Sequence, residues 1–399
     1  MTLAPLRIRT RPGVLVAPAV LLLLGVVGWL IDWPLGVDST VYRSGAVALL
    51  HGEPLYDAMS LSAQPSWARL PFTYPPIAAL LFTPMALFPT QVSWGLLAVV
   101  SMLSLVLVVR VVAGALPHRP SWLTPARATV LLPVLFIAFE PVCRTILLGQ
   151  INLVLMAFVV LDVLVLKGSR FSGVLIGAAS AVKLTPLIFV PYLLLTRRWA
   201  DALRATGTFA GLQALLLLVI PHDVARYWSD AVFDPERTGP IHWGVNQSLN
   251  GLMLRLTDRA PWSLTVALAI GALLAVPVAL AVRRLHRRGQ EVPALLMTAF
   301  FGLLVSPVSW THHWVWAVPL VVYLLARLPE PLPAGRARLR VLAGPGALVA
   351  VFVLGLLLIL GVGPALQWSP VDFVPGSVYL IAGAFVLVRL PVLSPDRGP

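Results

Sequence analysis

The chain is divided into apolar runs of about 15–22 residues, each near the length that crosses a hydrocarbon core, and the short links between them carry arginine. A soluble helix keeps one polar face; most of these runs have none. Hydrophobic residues make up 59% of the chain and charged residues 11%, whereas about a quarter of a soluble domain is charged. The chain therefore reads as all-α, a polytopic membrane protein. Its first run, residues 14–31, is longer than a signal-peptide core, and no small-residue cleavage site precedes Asp32-Trp33-Pro34. It is expected to stay as the first span.

A net charge of +13 would ordinarily raise the question of a nucleic-acid partner. Here the basic residues sit in the links, as the positive-inside rule requires, and no nucleic-acid partner is implied. Arg7, Arg9 and Arg11 place the N-terminus inside, and the links at 110–127, 167–170, 197–204, 283–288 and 327–340 read as cytoplasmic, as does the tail with Arg389 and Arg397. The alternation closes in one of two ways. Either 171–196 crosses and returns, broken near Lys183-Leu184-Thr185-Pro186, or the proline-rich segment 72–89 crosses. Both give about twelve spans with the two termini inside. Two long links, 34–70 and 222–261, then fall outside. They hold Asp38, Glu53, Asp57, Asp223, Asp230, Asp234, Glu236 and Asp258, half of the 16 acidic residues. Residues 1–399 are read as a single integral membrane domain with these two links as its outer catalytic loops. The lone Cys143 can form no internal disulfide.

Several residues stand out against this background. Asp38 lies just beyond the first span, where a carboxylate could accept a proton from a hydroxyl or simply cap the helix that follows. That helix, with Val41, Ala46, Val47 and Leu50 on one side and Tyr42 and Arg43 between, reads as amphipathic and juxtamembrane. His312 and His313 stand in "SPVSWTHHWVW" among Trp310, Trp314 and Trp316. Neighbours on a regular helix point about 100° apart, so both can face one site only if the backbone is irregular there, as Ser306-Pro307 implies. A histidine can bond a phosphate or carry a proton; the alternative is an interfacial ring in an aromatic belt. No metal-ligand spacing accompanies the pair, and no cofactor is implied.

Lys183 is a charge inside an apolar run, which is costly and points to function, or else to snorkelling at a helix break. Glu140 and Arg144, four apart, are spaced as a helix-surface ion pair. Gln150 and Asn152 open a span at the outer face and could bind sugar hydroxyls or cap the helix. The outer link 234–256 presents His242, Trp243, Asn246, Gln247, Ser248 and Asn250. Its amides match the paired donors and acceptors of a sugar, and its rings offer flat faces. An ordinary solvated loop is the other reading.

Neither a phosphate-cradling glycine loop nor a nucleophile elbow is present. An enzyme of this kind must take its energy from an already activated, membrane-borne substrate. Asp38, "GEPLY" (52–56), "YPP" (74–76), "GQIN" (149–152), "VKLTP" (182–186), "NQSLNG" (246–251) and "SPVSWTHHWVW" (306–316) occur in the order found in glycosyltransferase family 87. The chain resembles that family of GT-C-class, polyprenol-phosphate-mannose-dependent α-1,2-mannosyltransferases between about residues 36 and 325. The resemblance implies a polyprenyl-phosphate mannose donor, a glycolipid acceptor within the membrane lipids, and transfer with inversion. It makes Asp38 the base and gives His312 or His313 the donor phosphate or a proton. It also makes Lys183 and Arg43 candidates for charge neutralisation. Tyr42, Tyr74 and Trp310 join Gln150, Asn152 and the 242–250 residues as candidate substrate contacts. A lipid-linked-sugar flippase, or a transferase of another polyprenyl-linked sugar such as arabinofuranose, are the alternatives.

Overall fold

A computed structural model describes residues 12–361 and 369–393. Arg7, Arg9, Arg11 and Arg397, used above to orient the termini, lie outside these ranges. Among the described residues the regular structure is helical, and the β-geometry is an isolated bridge between Asn246 and Trp310. Five helices are long and apolar enough to cross a membrane: Gly13–Leu30, Thr90–Ala115, Trp199–Val219, Ser263–Arg287 and Gly335–Leu360. A bent pair makes a sixth, and five further apolar helices have 10–17 residues. The expected count of about twelve spans does not conflict with these.

Thr90–Ala115 is the central helix. Its apolar window is 56% buried, against 17–22% for the other four. The others turn apolar side chains outward, with Leu218 84% and Leu273 76% exposed. Apolar surface on that scale, on helices long enough to cross a bilayer, fits contact with lipid.

Residues 171–196 form a hairpin of two short helices. Val174–Val182 runs to Lys183, whose backbone is extended at φ −149°, and a 3₁₀ turn at Thr185–Ile188 begins the return through Phe189–Leu195. The two ends meet, because Arg198 donates to the Ser172 hydroxyl at 2.7 Å. Residues 72–89 form only the six-residue helix Pro76–Leu81 and a 3₁₀ turn, Thr83–Leu87. Six residues span about 9 Å, far short of a bilayer, and these pieces pack on the helix Val37–His51 instead.

The expected run 128–141 also differs from the fold. Pro125–Phe136 and Glu140–Leu148 meet at a 72° bend. Pro141 in the first turn of the second helix suits a helix start, where no N–H is needed, so a new helix begins there and turns inward. The expected Glu140–Arg144 ion pair does not form. Glu140 is buried and accepts from the Thr311 and Tyr379 hydroxyls at 2.6 and 2.7 Å.

Two glycines let the helix Val37–His51 dock at this bend. Gly36, at φ +68°, caps its start, and Gly149, at φ +70°, caps the end of Glu140–Leu148. A Cβ on Gly149 would lie 2.4 Å from the Ser39 hydroxyl and 2.5 Å from its Cβ. Trp94 ties the same corner by donating Nε1–H to the Ile146 carbonyl at 2.7 Å. Gly149→Ala is therefore expected to combine left-handed strain with overpacking, a loss of about 2–3 kcal/mol. The check is the unfolding temperature in detergent, which should fall; an unchanged value would mean that the corner relaxes freely.

Candidate active site

A cavity of about 430 Å³ opens at one end of the bundle. Asp38, Tyr74, Gln150, Lys183, His312 and His313 line it, and Tyr227, Arg237 and Gly239 from the 222–261 link form part of its wall. The arginine-bearing links at 283–288 and 327–330 lie around other cavities, with residues 115–120.

Asp38 is in the first turn of its helix, where the positive helix terminus favours a carboxylate. The N-cap is Gly36, and no side chain caps it, so Asp38 is free for other contacts. Its Oδ2 accepts from Gln150 Nε2 at 2.9 Å. Gln150 Oε1 in turn accepts from the Tyr42 and Tyr74 hydroxyls at 2.9 and 3.2 Å, and the two hydroxyls are 2.8 Å apart. A phenol donates to the amide oxygen and a carboxylate must accept from the amide nitrogen, so the Gln150 side chain can face only one way. Burial pushes Asp38 above the ordinary carboxylate range, and the Gln150 bond and the charges of Lys183 and Arg144 pull it partly back. Burial raises Tyr42 and Tyr74 as well, which keeps both hydroxyls as donors.

Asn152, two residues on, makes a second fixed bridge. Its Nδ2 donates to the His312 carbonyl at 3.0 Å, beside a bond of equal length from Thr145 Oγ1. Its Oδ1 accepts from Lys183 Nζ at 3.0 Å. Lys183 also lies 3.2 Å from His313 Nε2 and 5.6 Å from the centroid of the Tyr74 ring. An ammonium has only donors, so His313 Nε2 accepts and the ring proton sits on Nδ1. His312 differs. It is 6% exposed, and neither ring nitrogen has a hydrogen-bond partner. The two rings stand at 89° with centroids 4.7 Å apart. Both reach one cavity because Thr311–Trp316 is a 3₁₀ turn with Trp314 off helical geometry, the irregularity that the sequence required.

A second, mostly apolar cavity of about 300 Å³ adjoins the first. Leu184, Thr185, Ser306, Pro307 and His313 belong to both. Its remaining wall includes Leu155, Val159, Phe189, Leu303 and Trp316.

Other candidates lie elsewhere. Arg43 does not line the cavity; its Nε donates to the Phe88 carbonyl at 2.7 Å. Trp310 does line it, whereas His242 and Trp243 do not. Asn246, Gln247 and Asn250 sit behind the wall. Asn246 accepts from Ser309 N at 2.9 Å and donates to the carbonyls of Ile241 and Pro307; Asn250 also donates to Pro307. Gln247 donates to the carbonyls of Gly244 and Gly376 and accepts from Tyr379 N at 3.0 Å. These amides hold the turn that precedes the histidines. Sequence reasoning missed Arg237, whose guanidinium donates to the Tyr56 and Ala58 carbonyls and so closes the roof. Its only signal was a basic residue within an acidic outer link. Among the described residues no group of three His, Cys, Asp or Glu is placed to hold a metal ion.

The chain belongs to glycosyltransferase family 87, whose profile matches residues 72–307. It is 35% identical over 371 residues to the polyprenol-phosphate-mannose-dependent α-(1-2)-phosphatidylinositol mannoside mannosyltransferase of Mycobacterium tuberculosis H37Rv, covering 88% of this chain and 81% of the relative. It is 36% identical to a phosphatidylinositol pentamannoside mannosyltransferase of M. tuberculosis CDC 1551, across 83% of this chain and 77% of that one. The phosphatidylinositol mannoside enzyme of Mycolicibacterium smegmatis is 36% identical across 74% and 71%. No solved structure matches.

The two parts of the 234–256 link make opposite demands on stability. Asn246→Ala would strand the buried Ser309 N–H and remove two further bonds, a loss of about 2–3 kcal/mol. Trp243 is 44% exposed, and Trp243→Ala is expected to cost less than about 1 kcal/mol. Unfolding temperatures of the two variants in the same detergent check this; equal values would contradict the bracing role.

Proposed function

We propose that the chain transfers mannose from a polyprenyl-phosphate mannose to a mannosylated lipid acceptor, such as a phosphatidylinositol mannoside, with α-(1-2) linkage and inversion. The reading rests on one observation above the others. Asp38 has one carboxylate oxygen held by Gln150 and no described partner on the other, and it shares its cavity with an ammonium and an unpartnered imidazole. The names of the relatives support the donor and acceptor.

The chemistry needs one in-line displacement. The acceptor hydroxyl oxygen attacks the anomeric carbon as the bond from that carbon to the phosphate oxygen breaks. The hydroxyl proton passes to Asp38, and polyprenyl phosphate leaves with the electron pair. Lys183 and the His312 ring face the leaving phosphate, where charge accumulates in the transition state. His313 holds Lys183 in place. The apolar cavity takes the start of the polyprenyl chain, since its shared wall passes directly into the polar cavity. The chain acts as one domain, with 34–70 and 222–261 as the outer links around the site. The site faces the outside of the plasma membrane, opposite the arginine-rich links.

Purified protein given polyprenyl-phosphate mannose and a set of phosphatidylinositol mannosides should form a mannosylated product. Asp38→Asn should lower kcat by about 10²–10⁴-fold with folding intact. The base form of Asp38 is lost as pH falls. Because burial raises this group, the acid limb of kcat/KM should lie above the ordinary carboxylate value of about 3.9. Gln150→Leu, which removes a bond favouring the carboxylate, should move that limb higher still. Full activity in Asp38→Asn would refute the base assignment.

A further inference from the structure

Lys183 and Arg237 are the described cations in the cavity wall; the Arg237 guanidinium is taken up by the Tyr56 and Ala58 carbonyls, and Arg43 is turned away to the Phe88 carbonyl. Arg144, which is in the wall of neither cavity, is a further cation on a helix that packs against the histidine turn. Arg144 lies midway along Glu140–Leu148, the helix that packs against both Thr311–Trp316 and Val37–His51. Thr145, its neighbour, anchors the His312 carbonyl. Arg144 makes no ion pair or hydrogen bond with any described residue, and its Nε is buried without a partner. Such an orphan donor calls for a partner absent from the protein itself.

The nearest anion in sequence is Glu140, one turn away, in the spacing that ordinarily forms a helix ion pair. Both Glu140 oxygens are taken instead, one by Thr311 Oγ1 at 2.6 Å and the other by the Tyr379 hydroxyl at 2.7 Å. Tyr379 is held in turn, because Gln247 Oε1 accepts from its backbone N–H at 3.0 Å. Glu140 thus makes no direct bond to the guanidinium, although the Arg144 charge still acts on it; its oxygens meet two hydroxyls, one on the histidine turn and one on the helix Val378–Leu393. Tyr379 lies beyond the residues matched by the family profile. The field of Arg144, with that of Lys183, reaches both Asp38 and His312.

We infer that Arg144 is a second anion-binding residue, reserved for the phosphate of the polyprenyl donor by the contacts that occupy Glu140. A guanidinium can offer two parallel N–H donors to a phosphate, where a lysine offers a point charge. Lys183 and Arg144 would then approach the phosphate from different elements, with the His312 ring beside them. This assignment rests on the donor reading above.

The test compares the binding of farnesyl phosphate and farnesol to purified protein in detergent. Wild type should prefer the phosphate, and Lys183→Met should lose much of that preference. Arg144→Gln should weaken farnesyl phosphate about 10- to 100-fold and leave farnesol unchanged, while Arg144→Lys should lose less. Tyr379→Phe keeps the ring but frees one Glu140 oxygen to turn onto Arg144. It should weaken the phosphate and leave the alcohol unchanged. A wild-type phosphate-to-alcohol ratio in a folded Arg144→Gln protein, with the ratio lost in Lys183→Met, would overturn the role of Arg144 and leave the donor reading standing. Equal binding of phosphate and alcohol by wild type would overturn both.

Discussion

Two side-chain amides of one short segment hold the site together. Gln150 and Asn152 flank the junction between Glu140–Leu148 and Asn152–Leu164. Each amide has a donor end and an acceptor end, and in each at least one end meets a partner of fixed polarity: the Asp38 carboxylate for Gln150, the His312 carbonyl and the Lys183 ammonium for Asn152. Gln150 gives its N–H to Asp38 and takes two phenols. Asn152 gives its N–H to the His312 carbonyl and takes the Lys183 ammonium. The acid, the cation and the histidine come from segments near residues 38, 183 and 312, far apart in the chain. The junction gives them one geometry.

The apolar surroundings give that geometry its weight. A carboxylate and an ammonium taken from water into a helical bundle lose several kcal/mol of solvation each, and they are tolerated only where partners and charge offset the loss. Asp38 and Lys183 line one cavity and each bonds an amide of the same junction. Removing either would leave the other partly uncompensated. The cluster is therefore expected to behave as a unit, with substitutions within it far from additive.

Much of this was legible in the sequence. Run lengths and arginine placement gave an all-helical membrane protein, and the same placement put Asp38 and the histidines at one end. The break at Lys183 followed from a proline and a charge inside an apolar run, and the irregular turn from two adjacent histidines beside a proline. Partner choice was not legible. Glu140 and Arg144 have the spacing of an ion pair, but Thr311 and Tyr379, 171 and 239 residues away, take the carboxylate. Asn246, Gln247 and Asn250 have the chemistry of sugar contacts, yet the backbone of 306–309 and 376–380 uses that same chemistry. Amides suited to a ligand are equally suited to a turn, and only the fold decides between them. Arg43 failed for a related reason: helix periodicity places it near Asp38 in sequence but on another side of the helix.

The most direct measurement is a structure of the protein with polyprenyl phosphate bound. The phosphate is expected within hydrogen-bonding distance of Lys183 Nζ and a His312 ring nitrogen, with the first isoprene units along Leu184, Phe189 and Leu303 and the unpartnered Asp38 oxygen open toward the acceptor side. A phosphate seated away from Lys183 and His312, or a chain lying outside the apolar cavity, would contradict this arrangement.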